Sequence, residues 1–397
     1  MAETGVSLYI HIPFCSSFCD YCDFYSVIAD KDSGILMDKY IKAVIEDIKF
    51  QCEYFNVKEI VTAYIGGGTP SALGAKRISI LFEALKSILI FKPVEFTIEA
   101  NPESAGEDFL TACLEGGVNR ISLGAQSFCD MSRIEVNRTG DAKMLEKRLT
   151  LVSDFFPGAF SVDLITGLPY SDEKIVLEDI KRLLVYKPAH ISLYSLSVES
   201  ETPLEQKIKS KKVIMPSDEE ADTQWLAGQC ALKEAGYEHY EVSSFALPGK
   251  QCLHNVHYWL MDSWLGAGCA ASGTIINEKA GNARRFTITP NVRDYTFTVN
   301  SRGMSQKEFL NLTGNEELDK ISLMKESLLM GFRYCHGPDR EKFKRRFGIN
   351  VEDCITNTMD RWNKRNTQDI MMFLNGFLKE AFLEIDGREK NQADSHF

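Results

Sequence analysis

Residues 9–24 read Tyr9-Ile10-His11-Ile12-Pro13-Phe14-Cys15-Ser16-Ser17-Phe18-Cys19-Asp20-Tyr21-Cys22-Asp23-Phe24, a C-x3-C-x2-C loop set directly after an apolar run, Val6 to Ile12. Such a run reads as a buried strand, so the loop should leave the strand's carboxyl end. Three thiolates within eight residues can converge on one soft metal centre. Zinc usually takes four ligands, often as two C-x2-C pairs, and no second pair occurs here. Three unrelated buried thiols are the other alternative, but they are rarely grouped so closely with aromatics between them. An iron–sulfur cubane held only by protein takes four cysteines. With three, one iron stays open, and an open position lets a metal bind a ligand directly.

Strand-like apolar runs recur after the first, at 60–65, 94–100, 120–125, 159–166 and 189–196. Between them lie amphipathic stretches at 37–55, 75–91, 105–115, 142–155 and 173–186. Strand then helix, repeated, calls for an α/β fold with a parallel sheet and helices outside it. Pattern alone does not separate an open doubly wound sheet from a partial barrel. In both, functional residues belong at the carboxyl ends of the strands.

Those ends are polar. The second run is followed by Gly66-Gly67-Gly68-Thr69-Pro70, and the third ends in Glu99-Ala100-Asn101-Pro102. The fourth leads into Gly124-Ala125-Gln126-Ser127-Phe128, with Arg138 further on. The fifth carries Asp163 before Gly167-Leu168-Pro169, and the sixth carries Tyr194, Ser195 and Ser197. A glycine run can be a plain tight turn, and any one acid can merely cap the next helix. Five successive ends bearing Gly-Thr, Glu, Gln, Asp and Ser make a ring around one mouth, suited to hydroxyls, an ammonium and a base edge.

Further on, Ser217–Ala235 reads as a helix opened by acids, and 236–245 as turn then strand. The segment His254-Asn255-Val256-His257-Tyr258-Trp259 precedes a glycine-containing run, Trp264 to Ser272. The pattern turns mostly helical near Pro290, so residues 1–290 are expected to form the barrel with its extension and 291–397 a smaller, mostly helical domain. The basic patch at 342–346 reads as a solvated helix face, and the polar tail 387–397 as frayed.

The chain has 397 residues, 44% of them hydrophobic and 25% charged, with a net charge of −11. That balance allows a sizeable core, and the negative charge argues against nucleic acid or an anionic membrane as partner. No apolar stretch approaches a membrane span, and the acidic start does not resemble a targeting peptide. Eleven cysteines, eight of them scattered singly, suit reduced thiols in a cytoplasmic protein.

The cysteine loop resembles the radical SAM superfamily, whose open iron binds the amino and carboxylate groups of S-adenosylmethionine. The resemblance implies a partial (β/α)6 barrel. It narrows along the chain. Tyr9-x-His11-x-Pro13-Phe14-Cys15, the Gly-Gly-Gly-Thr-Pro turn, Glu99-Ala100-Asn101-Pro102, Asn119-Arg120-Ile121-Ser122, Gly124-x-Gln126-Ser127-Phe128 and Asp163-Leu164-Ile165-x-Gly167-Leu168-Pro169 resemble the coproporphyrinogen dehydrogenase group. The dehydrogenase has a fourth cysteine two residues after the third, where Phe24 stands here, and a longer N-terminal segment over its substrate. Its HemW-like haem chaperone relatives carry His-Asn-x-x-Tyr-Trp, present here as His254 to Trp259. The chain is similar to those chaperones.

The resemblance implies a [4Fe-4S] cluster on Cys15, Cys19 and Cys22. It further implies S-adenosylmethionine contacts at Tyr9, Tyr21, Gly68, Thr69, Glu99, Gln126, Arg138, Asp163 and Ser197. Haem binding, a haem-acceptor protein and a homodimer follow from the same source. His254 is the candidate haem ligand, because neutral imidazole binds haem iron and flanking aromatics can stack on a porphyrin. A buried histidine in an aromatic corner is the competing explanation. Many relatives have a histidine near Ser272, where this chain has Ala270 and Ala271. The expected function is haem carriage. Oxidative decarboxylation of coproporphyrinogen III, or radical chemistry on another tetrapyrrole, are the alternatives.

Overall fold

Six strands lie side by side in sequence order, each parallel to the next: β1 Val6–Ile12, β2 Ile60–Gly67, β3 Phe91–Ala100, β4 Arg120–Gln126, β5 Phe160–Thr166 and β6 His190–Ser195. These belong to a computed structural model that describes residues 5–30, 33–362 and 373–394. Helices Gly34–Tyr54, Gly74–Lys86, Glu107–Gly116, Ala142–Phe155 and Glu173–Leu184 connect the strands. The strand interiors are buried on both faces, the pattern of a parallel sheet covered by helices. Helix starts follow local chemistry. Ser217 and Glu220 form a reciprocal capping box before the helix Asp218–Glu234, and Asp141 and Asp172 cap two of the connecting helices.

The sheet does not stop at β6. Strands β7 Glu238–Glu241, β8 Ser244–Ala246, β9 Trp264–Ala267, β10 Ser272–Asn277, β11 Asn282–Ile288 and β12 Thr313–Leu318 extend it on both sides. The twelve-stranded order is β12-β11-β10-β9-β1-β2-β3-β4-β5-β6-β8-β7, so the two ends stay unjoined and the barrel is partial. The parallel core gains β9 on the far side of β1. All other additions are antiparallel.

The barrel core continues past residue 290, where a division is expected. Strand β12 completes the main sheet against β11. Val292, Tyr295, Val299, Phe309 and Leu312 pack in the same core as the barrel strands. A second apolar core takes Met261, Ile276 and Ala283 from earlier in the chain and is otherwise built from Leu318 onward, mainly from helices Lys320–Gly331, Arg340–Phe347 and Leu374–Asp394. From the end of β12 onward the chain packs in this second core. The strand's sequence, Thr-Gly-Asn-Glu-Glu-Leu, shows no apolar alternation because four of its six residues are exposed at the sheet edge. The expected fraying at 387–397 falls partly outside the described residues; helix Leu374–Asp394 runs into that tail.

The basic patch is a solvated face only in part: Lys344 and Arg345 are exposed, but Lys342 is half-buried and Arg346 buried. Arg346 has a side chain 1% exposed, paired with Glu278 Oε1 at 2.6 Å, and donates to the Met261 carbonyl at 3.0 Å. Lys342 pairs with Asp262 at 2.6 Å. These two cations clamp the helical unit onto the chain before β9. Arg346→Met is expected to lower stability by about 3 kcal/mol, because it strands a carboxylate and a carbonyl. Urea unfolding of the full chain measures it. A change below about 0.5 kcal/mol, usual for solvated positions, would restore the solvated-face expectation.

Candidate functional site

At the carboxyl ends of β1 to β6 lies a cavity of about 420 Å³, within the usual range for a small-molecule site. Cys15, Cys19, Cys22, Tyr21, Gly68, Thr69, Glu99, Gln126, Arg138, Asp163 and Ser197 all line it. One expected contact does not. Tyr9 sits three residues below the end of β1, its hydroxyl 3.1 Å from His11 Nδ1 and its ring stacked on Tyr64. It supports the cavity from a deeper layer.

The cysteine loop has little regular structure but is tied down at several points. Asp20 receives Lys207 Nζ at 2.8 Å, its amide donates to the Val136 carbonyl at 3.0 Å, and its own carbonyl accepts from Leu204 N at 2.8 Å. Asn137 Nδ2 donates to the Phe18 carbonyl at 2.7 Å. Burial pushes the Cys15 thiol up and the Cys22 thiol up to about 11, so a metal has to displace their protons. Among the described residues, no group of three or more His, Cys, Asp or Glu side chains is gathered into a metal-binding set. All three loop cysteines line the same cavity.

Arg138 joins the cysteine loop to the strand ends. Its guanidinium donates to Cys19 Sγ at 3.3 Å, Asn101 Oδ1 at 3.0 Å and the Gly124 carbonyl at 2.5 Å. Asn101 in turn donates to Thr69 Oγ1 at 3.0 Å, and Thr69 donates to Cys15 Sγ at 3.5 Å. Asn101 thus couples two parts of the site, a role its place in a strand-end motif did not reveal. Ser122, Gly124, Tyr194 and Glu199 also line the cavity.

Glu99 accepts from Tyr64 Oη at 2.8 Å and from Gly67 N at 3.1 Å. A Cβ on Gly66 would lie 2.9 Å from its carboxyl group, so that glycine is needed for close approach. Burial pushes Glu99 up to about 7, opposed by the Tyr64 hydrogen bond and helped by nearby Asp163. Asp163 lies mid-strand rather than at the strand's end, 3.4 Å from Ser122 Oγ. Burial raises it as well, while bonds to Ser192 and Ser122 and the charges of Arg120 and Arg138 oppose the rise.

The polar lining fits a charged, hydrogen-bonding cofactor. Among the described residues, Gln126 Oε1 and Arg138 Nε are buried without a hydrogen-bond partner, and such atoms are costly unless a ligand satisfies them. Gln126 also holds a left-handed backbone, φ 69°. A Cβ on Gly68 would fall 2.9 Å from Cys15 Sγ and from the Pro13 backbone, so glycine there lets the turn pack directly against the cysteine loop. The rim is apolar, with Phe24 68% exposed.

His254 is not at this cavity. Its Nδ1 lies 2.9 Å from Thr62 Oγ1 and its Nε2 3.1 Å from Tyr258 Oη. It is 1% exposed, and burial pushes it down to about 3. Both ring nitrogens are engaged by partners within the fold. Its helix is anchored by Glu95, which accepts from Leu253 N at 3.0 Å and His254 N at 2.9 Å.

The radical SAM superfamily profile matches residues 9–208, and the chain belongs to that superfamily. Within it, a heme chaperone HemW of Lactococcus lactis is 32% identical, with 89% of this chain and 88% of the relative covered. The heme chaperone HemW of Escherichia coli is 30% identical, covering 89% of each. A mouse mitochondrial radical S-adenosyl methionine domain-containing protein 1 is 31% identical over 84% of this chain and 74% of that protein. The chain therefore belongs to the HemW family. Coproporphyrinogen III oxidase of Escherichia coli shares the fold, with a TM-score of 0.78, 19% identity, and 97% of this chain and 90% of that chain covered.

Replacing Cys15, Cys19 or Cys22 by alanine is expected to abolish iron and sulfide uptake on anaerobic reconstitution, whereas Cys52→Ala and Cys113→Ala should keep it. Full iron content in any loop variant contradicts the assignment. A second expectation concerns pH. A raised carboxyl favours the protonated folded chain, so its contribution is full below about pH 4.5 and is lost as pH rises through about 7. Glu99→Gln, neutral throughout, should escape that loss. Urea midpoints of the two cofactor-free chains should separate across this window, and parallel profiles would contradict it.

Proposed function

We propose that this protein is a haem chaperone that binds haem and hands it to an acceptor protein, carrying a [4Fe-4S] cluster and S-adenosylmethionine in its barrel mouth. The similarity to relatives named heme chaperone along 89% of the chain carries this role. Cys15, Cys19 and Cys22 would hold the cluster. Glu99 and Asp163 would meet the cofactor's ammonium or hydroxyl groups, while Gln126 Oε1 and Arg138 Nε have acceptor and donor capacity to spare. The Gly66 to Gly68 backbone would admit the methionine end. Tyr21, Thr69 and Ser197 complete the lining. When bound, the cluster and cofactor supply one-electron cleavage to a 5′-deoxyadenosyl radical.

Decarboxylation of coproporphyrinogen III is the competing function. Phe24 stands at the cavity rim where the dehydrogenase has its fourth cysteine, and that disfavours it. A cytoplasmic setting and homodimer formation belong to the same proposal. The free state of the chain's eleven cysteines suits a reducing compartment. No helix among the described residues is long and apolar enough to cross a membrane.

A carrier must hold its cargo unchanged. Ferric haem should therefore be taken up by the anaerobically purified chain, and also by a chain lacking Cys15, Cys19 and Cys22. Neither should form protoporphyrinogen from coproporphyrinogen III. Steady porphyrinogen turnover, with one deoxyadenosine released per decarboxylation, would overturn the proposal.

A further inference from the structure

The middle of the cysteine loop is fixed, residue by residue, against one short segment. The Phe18 carbonyl accepts from Asn137 Nδ2 at 2.7 Å, Cys19 Sγ accepts from Arg138 at 3.3 Å, and the Asp20 amide donates to the Val136 carbonyl at 3.0 Å. Residues 18–20 thus take their position from residues 136–138. That segment leaves helix Asp130–Glu135 directly and turns through Asn137 in a left-handed backbone, φ 57°, a conformation that asparagine tolerates.

The three cysteines are not held alike. Cys15 lies in a two-strand pairing, Phe14–Cys15 against Val27–Ile28, and its carbonyl accepts from the Ala29 amide at 2.8 Å. Cys22 is tied instead to Cys19, its amide donating to the Cys19 carbonyl at 3.1 Å. The second and third thiols therefore move with residues 18–20, and the first does not.

Lys207 closes the arrangement from outside. It stands on helix Pro203–Lys209 and commits its ammonium to three oxygens: Asp20 Oδ2 at 2.8 Å, Glu135 Oε1 at 3.2 Å and the Glu135 carbonyl at 2.6 Å. The same helix adds a backbone bond, from the Leu204 amide to the Asp20 carbonyl at 2.8 Å, and Leu204 is fully buried. The Asp20 side chain is only 11% exposed, so this charge pair is partly withdrawn from water and stronger than a surface pair. Without the ammonium, the Asp20 and Glu135 carboxylates would lose the one cation they share. A second pair on the helix, Lys209 with Glu205 at 2.7 Å, joins two residues of the helix itself and is well exposed. Thr202, at the helix start, donates to the carbonyl of Glu199 on the cavity wall at 2.7 Å.

Resting on the cluster proposed above for the loop, we propose that Lys207 and Asp20 are positioning residues for it. The ammonium locks residues 18–20 onto 135–138 and so sets where Cys19 and Cys22 present their thiols, while Cys15 is held independently by its strand pairing.

Two measurements on the full chain test this. In the reduced, metal-free protein, alkylation of each cysteine is followed by mass spectrometry. In the anaerobically reconstituted protein, iron release to a ferrous chelator is followed by absorption. Lys207→Met and Asp20→Asn should each raise labelling of Cys19 and Cys22 about fivefold, the effect of losing a half-buried charge pair. Cys15, Cys52 and Cys113 should keep wild-type rates, and iron release should quicken about tenfold. The double variant should match the single ones, because each removes the same pair. Lys207→Arg, which can still reach Asp20, should restore both readouts, and Lys209→Met should change neither. Unchanged labelling of Cys19 and Cys22 in Lys207→Met, an equal rise at every cysteine as in general loosening, or the same shift in Lys209→Met would each overturn the proposal. A wild-type chain that takes up no cluster would instead overturn the cluster assignment, and the labelling would still decide the role of Lys207.

Discussion

One buried guanidinium holds the cysteine loop against the barrel. Arg138 reaches Cys19 on the loop, Asn101 beyond β3 and Gly124 on β4. It adds to the backbone ties between the loop and the strand-end turn, where the Thr69 amide donates to the Phe14 carbonyl at 2.8 Å and its hydroxyl to Cys15 Sγ at 3.5 Å. The outer side is held by Asp20 and Lys207. The same guanidinium supports Asn101 and offers an unsatisfied Nε. Loop position and cofactor complementarity thus depend on one residue, whose desolvation is offset by three acceptors and by nearby Cys19 and Tyr21.

The barrel was legible because its strands are buried on both faces and read as apolar runs. Val6–Ile12 has the expected bounds, and helix Ala142–Phe155 follows its amphipathic pattern to the residue. The cysteine loop and the polar strand ends were legible for a chemical reason: few structural roles need those residue types in that order. What remained hidden depends on distant partners. Strand β12 is polar because it lies at an edge. The Asp20–Lys207 pair joins residues with no local signal between them, and Tyr9 fell a layer too deep because a strand's face does not fix depth.

The histidine segment shows the same limit. His254 and His257 lie on one short helix with similar neighbours in sequence. Only the packed structure shows that the first is enclosed by Thr62 and Tyr258 while the second faces Asp262. Basic residues that read as a solvated face prove to set the turn after that helix. The helical unit is therefore coupled to the segment with the haem motif, although it shares little core with the barrel.

The central claim is that the barrel mouth is one polar site for a three-cysteine cluster and S-adenosylmethionine together. Its most direct test is a titration of anaerobically reconstituted protein with S-adenosylmethionine, read by electron paramagnetic resonance of the reduced cluster. The wild-type spectrum should change on binding. Glu99→Ala and Asp163→Ala, with full iron content, should need more ligand, since loss of a buried hydrogen bond costs about 1–3 kcal/mol, or roughly fivefold to over a hundredfold in affinity. A wild-type spectrum indifferent to the cofactor, or equal affinity in both variants, would contradict the account.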